Sequence, residues 1–389
     1  MNSRTRAIVI SISAPVIAFA LVGGLLGKVM AREETFQHLK PFDDVVNFIM
    51  GNYVEEVSIN KVMQGAMRGL TDGLDPESAY LTPDQVKEVE SQKALPAGDL
   101  GIELTRQYYL RVIAVRDGSP AAKAGLRGGD YVRAIDDKPT REMSVWEGMR
   151  ALRGAPGSKI TLAIIRGSAA DPHTVDLTRE AMPASDVHSR IAAPGIGYLR
   201  IGAIGPNTAG QVKTQIADLQ TKGAAKLIVD VRRTSTGDGE QGLALARLFV
   251  APGATLAIRE KTGSPRETIA ATAGDGAIKL PAQVLLDSGT SGAAEIFASA
   301  LSGNKRAELI GEHTIGRAAI QRLIKLPDSS GIWLSTSRYL TPAGTPLHEK
   351  GLEPTVAVDE PDVEFGQPAP PGDPVLDKAI ERFAEKKAA

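Results

Sequence analysis

The stretch Val284–Gln321, VLLDSGTSGAAEIFASALSGNKRAELIGEHTIGRAAIQ, decides how the rest of the chain is read. An apolar strand, Val284-Leu285-Leu286, ends in a turn of small residues, Ser288-Gly289-Thr290-Ser291-Gly292. The Ala-rich run from Ala293 to Leu301 has the composition of a helix. Glu308-Leu309-Ile310 then begins a second strand, followed by a glycine-containing loop. A strand that turns directly into a helix presents one residue at the helix N-terminus, where backbone N–H groups favour negative charge. Hydrolases place nucleophiles at such turns, so the residue standing there decides the chemistry.

The flanking sequence continues the same alternation from Ile191 to Val358. Strand Gly197–Ile201 leads to a helix with Val212, Ile216 and Leu219 on one face. Strand Leu227–Val231 ends in a polar turn, Arg232 to Gly239, before a helix running through Phe249. An α/β domain over 185–360 is expected. Residues 361–389 hold a Pro-rich linker (Pro368, Pro370, Pro371, Pro374) and a charged amphipathic helix, Val375 to Lys387.

Toward the N-terminus, residues 98–184 read as a compact β-rich module and its linker. Its strands are Leu100–Leu104, Leu110–Val115, Asp130–Asp137 and Lys159–Ile165, with a short helix at Ser119–Leu126 and another around Val145 to Leu152. Residues 33–95 are helical: Phe42, Val45, Val46, Ile49 and Met50 recur at helical spacing, as do Val62, Met63, Ala66, Met67 and Leu70. Leu74–Pro83 is a connector in which Thr82 caps a helix starting at Pro83. Arg4 and Arg6 precede an uncharged run from Ala7 to Gly27, long enough to cross a bilayer with its basic flank in the cytoplasm. Residues 1–31 are therefore expected to be a signal anchor. A signal peptide cleaved after Val29-Met30-Ala31 is the alternative. In both cases the bulk of the chain lies outside the cytoplasm, in the periplasm or extracellular space.

Composition removes several classes of function. Lys+Arg number 45 and Asp+Glu 46, so no overall basic field suits nucleic acid, and aromatics are only 4 %. Without cysteine there are no disulfides or thiolate chemistry, and His38, His173, His188 and His348 lack metal-ligand spacing. No metal or cofactor is expected. Asp287-Ser288-Gly289-Thr290 looks like an aspartic-protease signature, but those enzymes need two such aspartates and this chain has one copy.

The pattern SPAAKAGLRGGDYVRAIDD, residues 119–137, resembles a PDZ domain, which binds carboxy-terminal tails by adding the peptide as a strand. That resemblance implies that the amides of Leu100, Gly101 and Ile102 hold the terminal carboxylate. The order of anchor, helices, PDZ module and α/β domain resembles the carboxy-terminal processing (tail-specific) peptidases, exported serine–lysine proteases. The match rests on Leu74-Asp75-Pro76 through Tyr80-Leu81, Asp230-Val231-Arg232, Ala294-Glu295-Ile296 and Gly311-Glu312. Thr314-Ile315-Gly316 and Tyr339–Gly344 carry it further. It implies a multidomain α/β (α+β) fold with a helical N-terminal segment, a PDZ β-sandwich or barrel module, and a core related to crotonases and Clp proteases. Homodimerisation through the N-terminal helices is also implied.

In the family's ungapped register the nucleophilic serine falls on Gly292 and the general-base lysine on Arg317, while a family glutamine is retained as Gln321. The turn that contributes backbone to the oxyanion site is altered to Thr234-Ser235-Thr236-Gly237. Glycine carries no nucleophile, and arginine stays protonated at physiological pH, so neither can play the serine–lysine part. The expected function is tail binding by a catalytically degenerate scaffold, which sequesters clients or regulates an active relative. Two alternatives stay open: an endopeptidase using Ser291 with His313 as base, and a structural envelope component.

Overall fold

The computed structural model describes residues 39–167, 171–361, 363–367 and 370–388. The expected anchor at 1–31 lies outside these residues, and among the described residues no helix is long and apolar enough to cross a membrane. The chain divides into two units, residues 1–69 and 70–389. In the first, α1 covers residues 39–52 and α2 (Ile59–Asp72) begins. The helical spacing read in the sequence is realised, yet Phe42, Val45, Phe48, Ile49 and Met50 remain exposed.

The second unit opens with β1 (Ala79–Leu81) and α3 (Pro83–Glu90), whose N-terminus is a capping box between Thr82 and Gln85. The PDZ module follows. Its strands are β2 (Gly98–Asp99), β3 (Ile102–Gln107), β4 (Tyr109–Val115), β5 (Tyr131–Ile135), β6 (Lys138–Pro139), β7 (Lys159–Ile165), β8 (His173–Thr178) and β9 (Glu180–Ala181). Its helices are α4 (Pro120–Lys123) and α5 (Val145–Ala151). The main sheet runs β3-β4-β5-β7-β8, with β6 beside β5, so β3 is an edge strand. Leu104, Leu110, Val132, Ile160 and Leu162 fill the module's core. Strand β8 lengthens the module beyond the Lys159–Ile165 strand at which the sequence pattern stops.

The α/β core is a six-stranded sheet in the order β10-β11-β12-β15-β16-β19. These strands are β10 (Asp186–Ala193), β11 (Ile196–Ala203), β12 (Lys226–Asp230), β15 (Ala282–Leu286), β16 (Ala307–Gly311) and β19 (Val356–Ala357). Only the β10–β11 pairing is antiparallel. Residue alternation sends Leu227, Val229, Val284 and Leu286 to the face covered by α6 (Thr208–Thr221), α7 (Gly239–Arg247) and α8 (Ala293–Gly303). Ile228, Leu285 and Ile310 point to the other face, where α9 (Pro374–Ala388) lays down Val375, Leu376, Ala379 and Phe383. Burying Phe383 alone is worth roughly 2–3 kcal/mol.

A second sheet, β1-β18-β13-β14 with β17 also paired to β18, flanks the core. It comprises β13 (Thr255–Glu260), β14 (Glu267–Ala270), β17 (Ala319–Lys325) and β18 (Gly331–Leu340) in addition to β1. Beneath β12, Asp230 is fully enclosed. Burial would raise its pKa, but Arg232 and Arg200 outweigh burial and hold it at about 2. Arg232 also reaches Glu360 at 2.8 Å and Asp373 at 2.7 Å, tying the start of α9 to the sheet.

Candidate active site

Strand β15 is buried along its whole length and is followed at once by Asp287. Asp287 Oδ1 accepts from the N–H groups of Arg233 (2.8 Å) and Gly289 (3.0 Å) and lies 3.1 Å from Thr290 Oγ1, which closes the turn. Burial pushes this carboxyl up to about 6 against those hydrogen bonds. Gly289 permits a close approach: a Cβ there would lie 2.7 Å from the carbonyl oxygen of Ile113 in the PDZ module.

Gly292 caps α8 at φ 60° and ψ −115°, a conformation that strains any residue with a Cβ. A Cβ at this point would meet the Arg317 carbonyl oxygen at 3.6 Å, an ordinary contact, so space for a side chain exists. The backbones at 292 and 317 are thus neighbours. Glu295 holds them together. Its Oε2 accepts from Gly292 N (2.9 Å) and Arg317 N (2.8 Å), and its Oε1 from Gly316 N (2.7 Å) and Thr314 Oγ1 (2.5 Å). Burial raises the pKa of this fully enclosed carboxyl, and the four donors pull it back. Its place three residues after the helix cap is the one local sign in the sequence of such a role.

Arg317 does not lie idle. Its Nε is 3.2 Å from Glu77 in the connector, and its Nη1 is 3.4 Å from Glu103 on β3. Burial raises both carboxyls above their ordinary range while Arg317 opposes the shift. Arg317 therefore joins the connector, the PDZ edge strand and the core. Sequence reading did not identify Glu77 or Glu103 as partners, because nothing local signals a contact across 214 residues.

The remaining positions are distributed around this centre. Ser291 Oγ is buried and has no hydrogen-bond partner among the described residues, and Ser291 N donates to Thr234 O at 3.0 Å. His313 is half-exposed and lies 3.6 Å from Glu353. Ser291 and His313 thus make no nucleophile–base hydrogen bond, because the serine points inward and the histidine outward. Gln321 Nε2 donates to Ser335 Oγ at 3.2 Å across β17 and β18. Thr236 Oγ1 accepts from Ile204 N at 2.8 Å, and Gly237 has a φ of 93°. In the PDZ module, the amides of Leu100 and Gly101 donate to Asp99 Oδ1 at 2.7 and 3.3 Å, and Ile102 begins the edge strand. A cleft of about 300 Å³ runs from Gly101, Ile102 and Glu103 to Arg233, Ser235 and Thr236 of the core. A larger open depression of about 650 Å³, along Glu260, Arg338 and His348, includes no residue of the turn or of the Arg317 loop.

Residues 195–358 match the model of peptidase family S41, and residues 111–166 match a PDZ domain. The chain is 30 % identical to the carboxy-terminal-processing protease of Bartonella bacilliformis over 335 residues, 85 % of this chain and 77 % of that one. The chain belongs to peptidase family S41. It is similar to the carboxy-terminal processing protease CtpA of Bacillus subtilis, at 29 % identity over 81 % of this chain and 67 % of the relative. Among solved structures, the photosystem II D1 C-terminal processing protease superposes with a TM-score of 0.67 and 25 % identity, covering 82 % of this chain and 92 % of that one. The S41 core accounts for the sheet, the turn and α8, and the PDZ match accounts for β4 to β7.

Proposed function

We propose that this S41 chain captures carboxy-terminal tails of exported proteins through its PDZ module and does not cleave them. The observation that carries the reading is the pair of residues at the centre of the site. Gly292 supplies no nucleophile, and Arg317 is a permanently charged side chain engaged by Glu77 and Glu103. A serine–lysine mechanism needs a hydroxyl and a neutral amine at these points. Buried Ser291 offers no accessible hydroxyl in their stead. The N-terminal run from Ala7 to Gly27 supports export with the segment retained as a membrane anchor. The exposed apolar residues of α1 support its pairing with a second copy, or with an active relative of the same architecture.

The test is incubation with an unfolded protein bearing an apolar carboxy-terminal tail, beside the Gly292→Ser, Arg317→Lys double variant that supplies both reacting groups. The natural sequence is expected to bind the tail and leave it intact. Turnover by the natural sequence, lost in Ser291→Ala, would overturn the reading in favour of a working endopeptidase.

A further inference from the structure

The seat for a tail's carboxylate in the PDZ module already holds a carboxylate. Asp99 Oδ1 takes the N–H groups of Leu100 and Gly101, and its Oδ2 lies 3.0 Å from Arg153 Nη2. These are two of the three amides that the PDZ resemblance assigns to the ligand's terminus. The Asp99 side chain is only 14 % exposed, so it is held in this position by the surrounding module and not merely resting on its surface. Immediately beyond it β3 runs along the edge of the sheet, where among the described residues no strand pairs with its outer row of backbone groups. Asp99, Gly101, Ile102 and Glu103 line one cleft together with Arg116 and Arg153.

A tail docking as a strand beside β3 brings its own carboxylate to the same amides. Two carboxylates cannot both use them, since each amide has one hydrogen to give and like charges at hydrogen-bond range repel. We infer that Asp99 is an internal competitor for the carboxylate seat, so that Asp99 must leave the Leu100 and Gly101 amides before a free-acid tail can settle. This rests on the tail-capture reading above and sharpens it: the groove discriminates between a charged terminus and a neutral one. A peptide ending in an amide, or an internal segment, adds to β3 without that displacement. Arg116 lines the same cleft, and its buried Nη2, which has no hydrogen-bond partner among the described residues, lies 3.8 Å from Asp186.

The experiment uses the full-length chain in detergent and one fluorescent apolar peptide made in two forms, free acid and carboxy-terminal amide. Asp99→Gly is expected to bind the acid about tenfold more tightly than the natural chain, the equivalent of about 1.4 kcal/mol. Amide binding should change by less than about twofold on the same scale. Asp99→Asn keeps an oxygen for the turn but loses the charge, so it should show a smaller gain in acid binding. It carries the test if the glycine variant does not fold. Unchanged acid affinity in both variants, with amide binding intact, overturns the competitor role and leaves tail capture standing. Absence of binding by either peptide to any of the three proteins overturns tail capture, and this inference with it.

Discussion

Replacing Arg317 with methionine removes the cation shared by Glu77 and Glu103 while keeping most of the apolar stem. The three side chains are 19 %, 10 % and 20 % exposed, so the pairs are neither fully buried nor freely solvated. Breaking a buried ion pair from one side costs 3–5 kcal/mol, and partial exposure places this case near the lower end, about 3 kcal/mol. Urea unfolding of the chain from Glu33 onward reads the effect. Trp146 of α5 and Trp333 of β18, the chain's two tryptophans, lie in one apolar cluster at the seam of module and core. The deficit must also depend on pH. Both carboxyls sit above their ordinary 4.5 because burial outweighs Arg317. A carboxyl raised in this way contributes most below its unfolded pKa and loses that contribution as pH rises through the folded value. Losing Arg317 deepens the loss, so the deficit should be full near neutral pH and close as pH falls to about 4.5 and below. Adding Glu77→Gln and Glu103→Gln should restore most of the stability. A deficit under about 1 kcal/mol, or one that is the same at both ends of this pH range, would refute the clamp.

Two further outcomes follow from the carboxylates of the turn and of α8. Asp287→Asn retains Oδ1 for its three partners and removes the cost of ionising a group raised from 3.8 to about 6. The variant should gain up to about 3 kcal/mol above pH 6, and that gain should vanish below about pH 4; equal stability at neutral pH would contradict the burial argument. Glu295→Gln turns an amide NH₂ toward two of the four donors now met by the carboxylate. A loss of about 3 kcal/mol is expected, with faster hydrogen exchange at the Gly292 and Arg317 amides, and unaltered exchange there would remove Glu295 from the role of clamp.

Much of this architecture is written locally and was therefore legible. Val212, Ile216 and Leu219 recur at helical spacing and are buried along α6, and the 119–137 pattern marks the PDZ module from α4 to β5. The turn before α8 was readable for the same reason, since small residues between an apolar strand and an Ala-rich run have few other uses. Contacts between distant parts of the chain left no such trace. Val375, Leu376, Ala379 and Phe383 declare an apolar face, but nothing in their spacing says that it covers Ile228, Leu285 and Ile310. Glu77 and Glu103 look like ordinary surface acids until the connector and the PDZ edge strand converge on Arg317. Asp99 divides between the two cases: its bonds to the Leu100 and Gly101 amides are local, while its pairing with Arg153 has no local sign.

The position of α9 bears on where the chain can be cut. Every strand it covers precedes it in the sequence, and the Asp373 carboxylate that meets Arg232 also comes late. Without Pro374–Ala388 in place, Ile228, Leu285 and Ile310 lose the helix that covers them, so a chain cut before Pro374 would carry a sticky apolar surface.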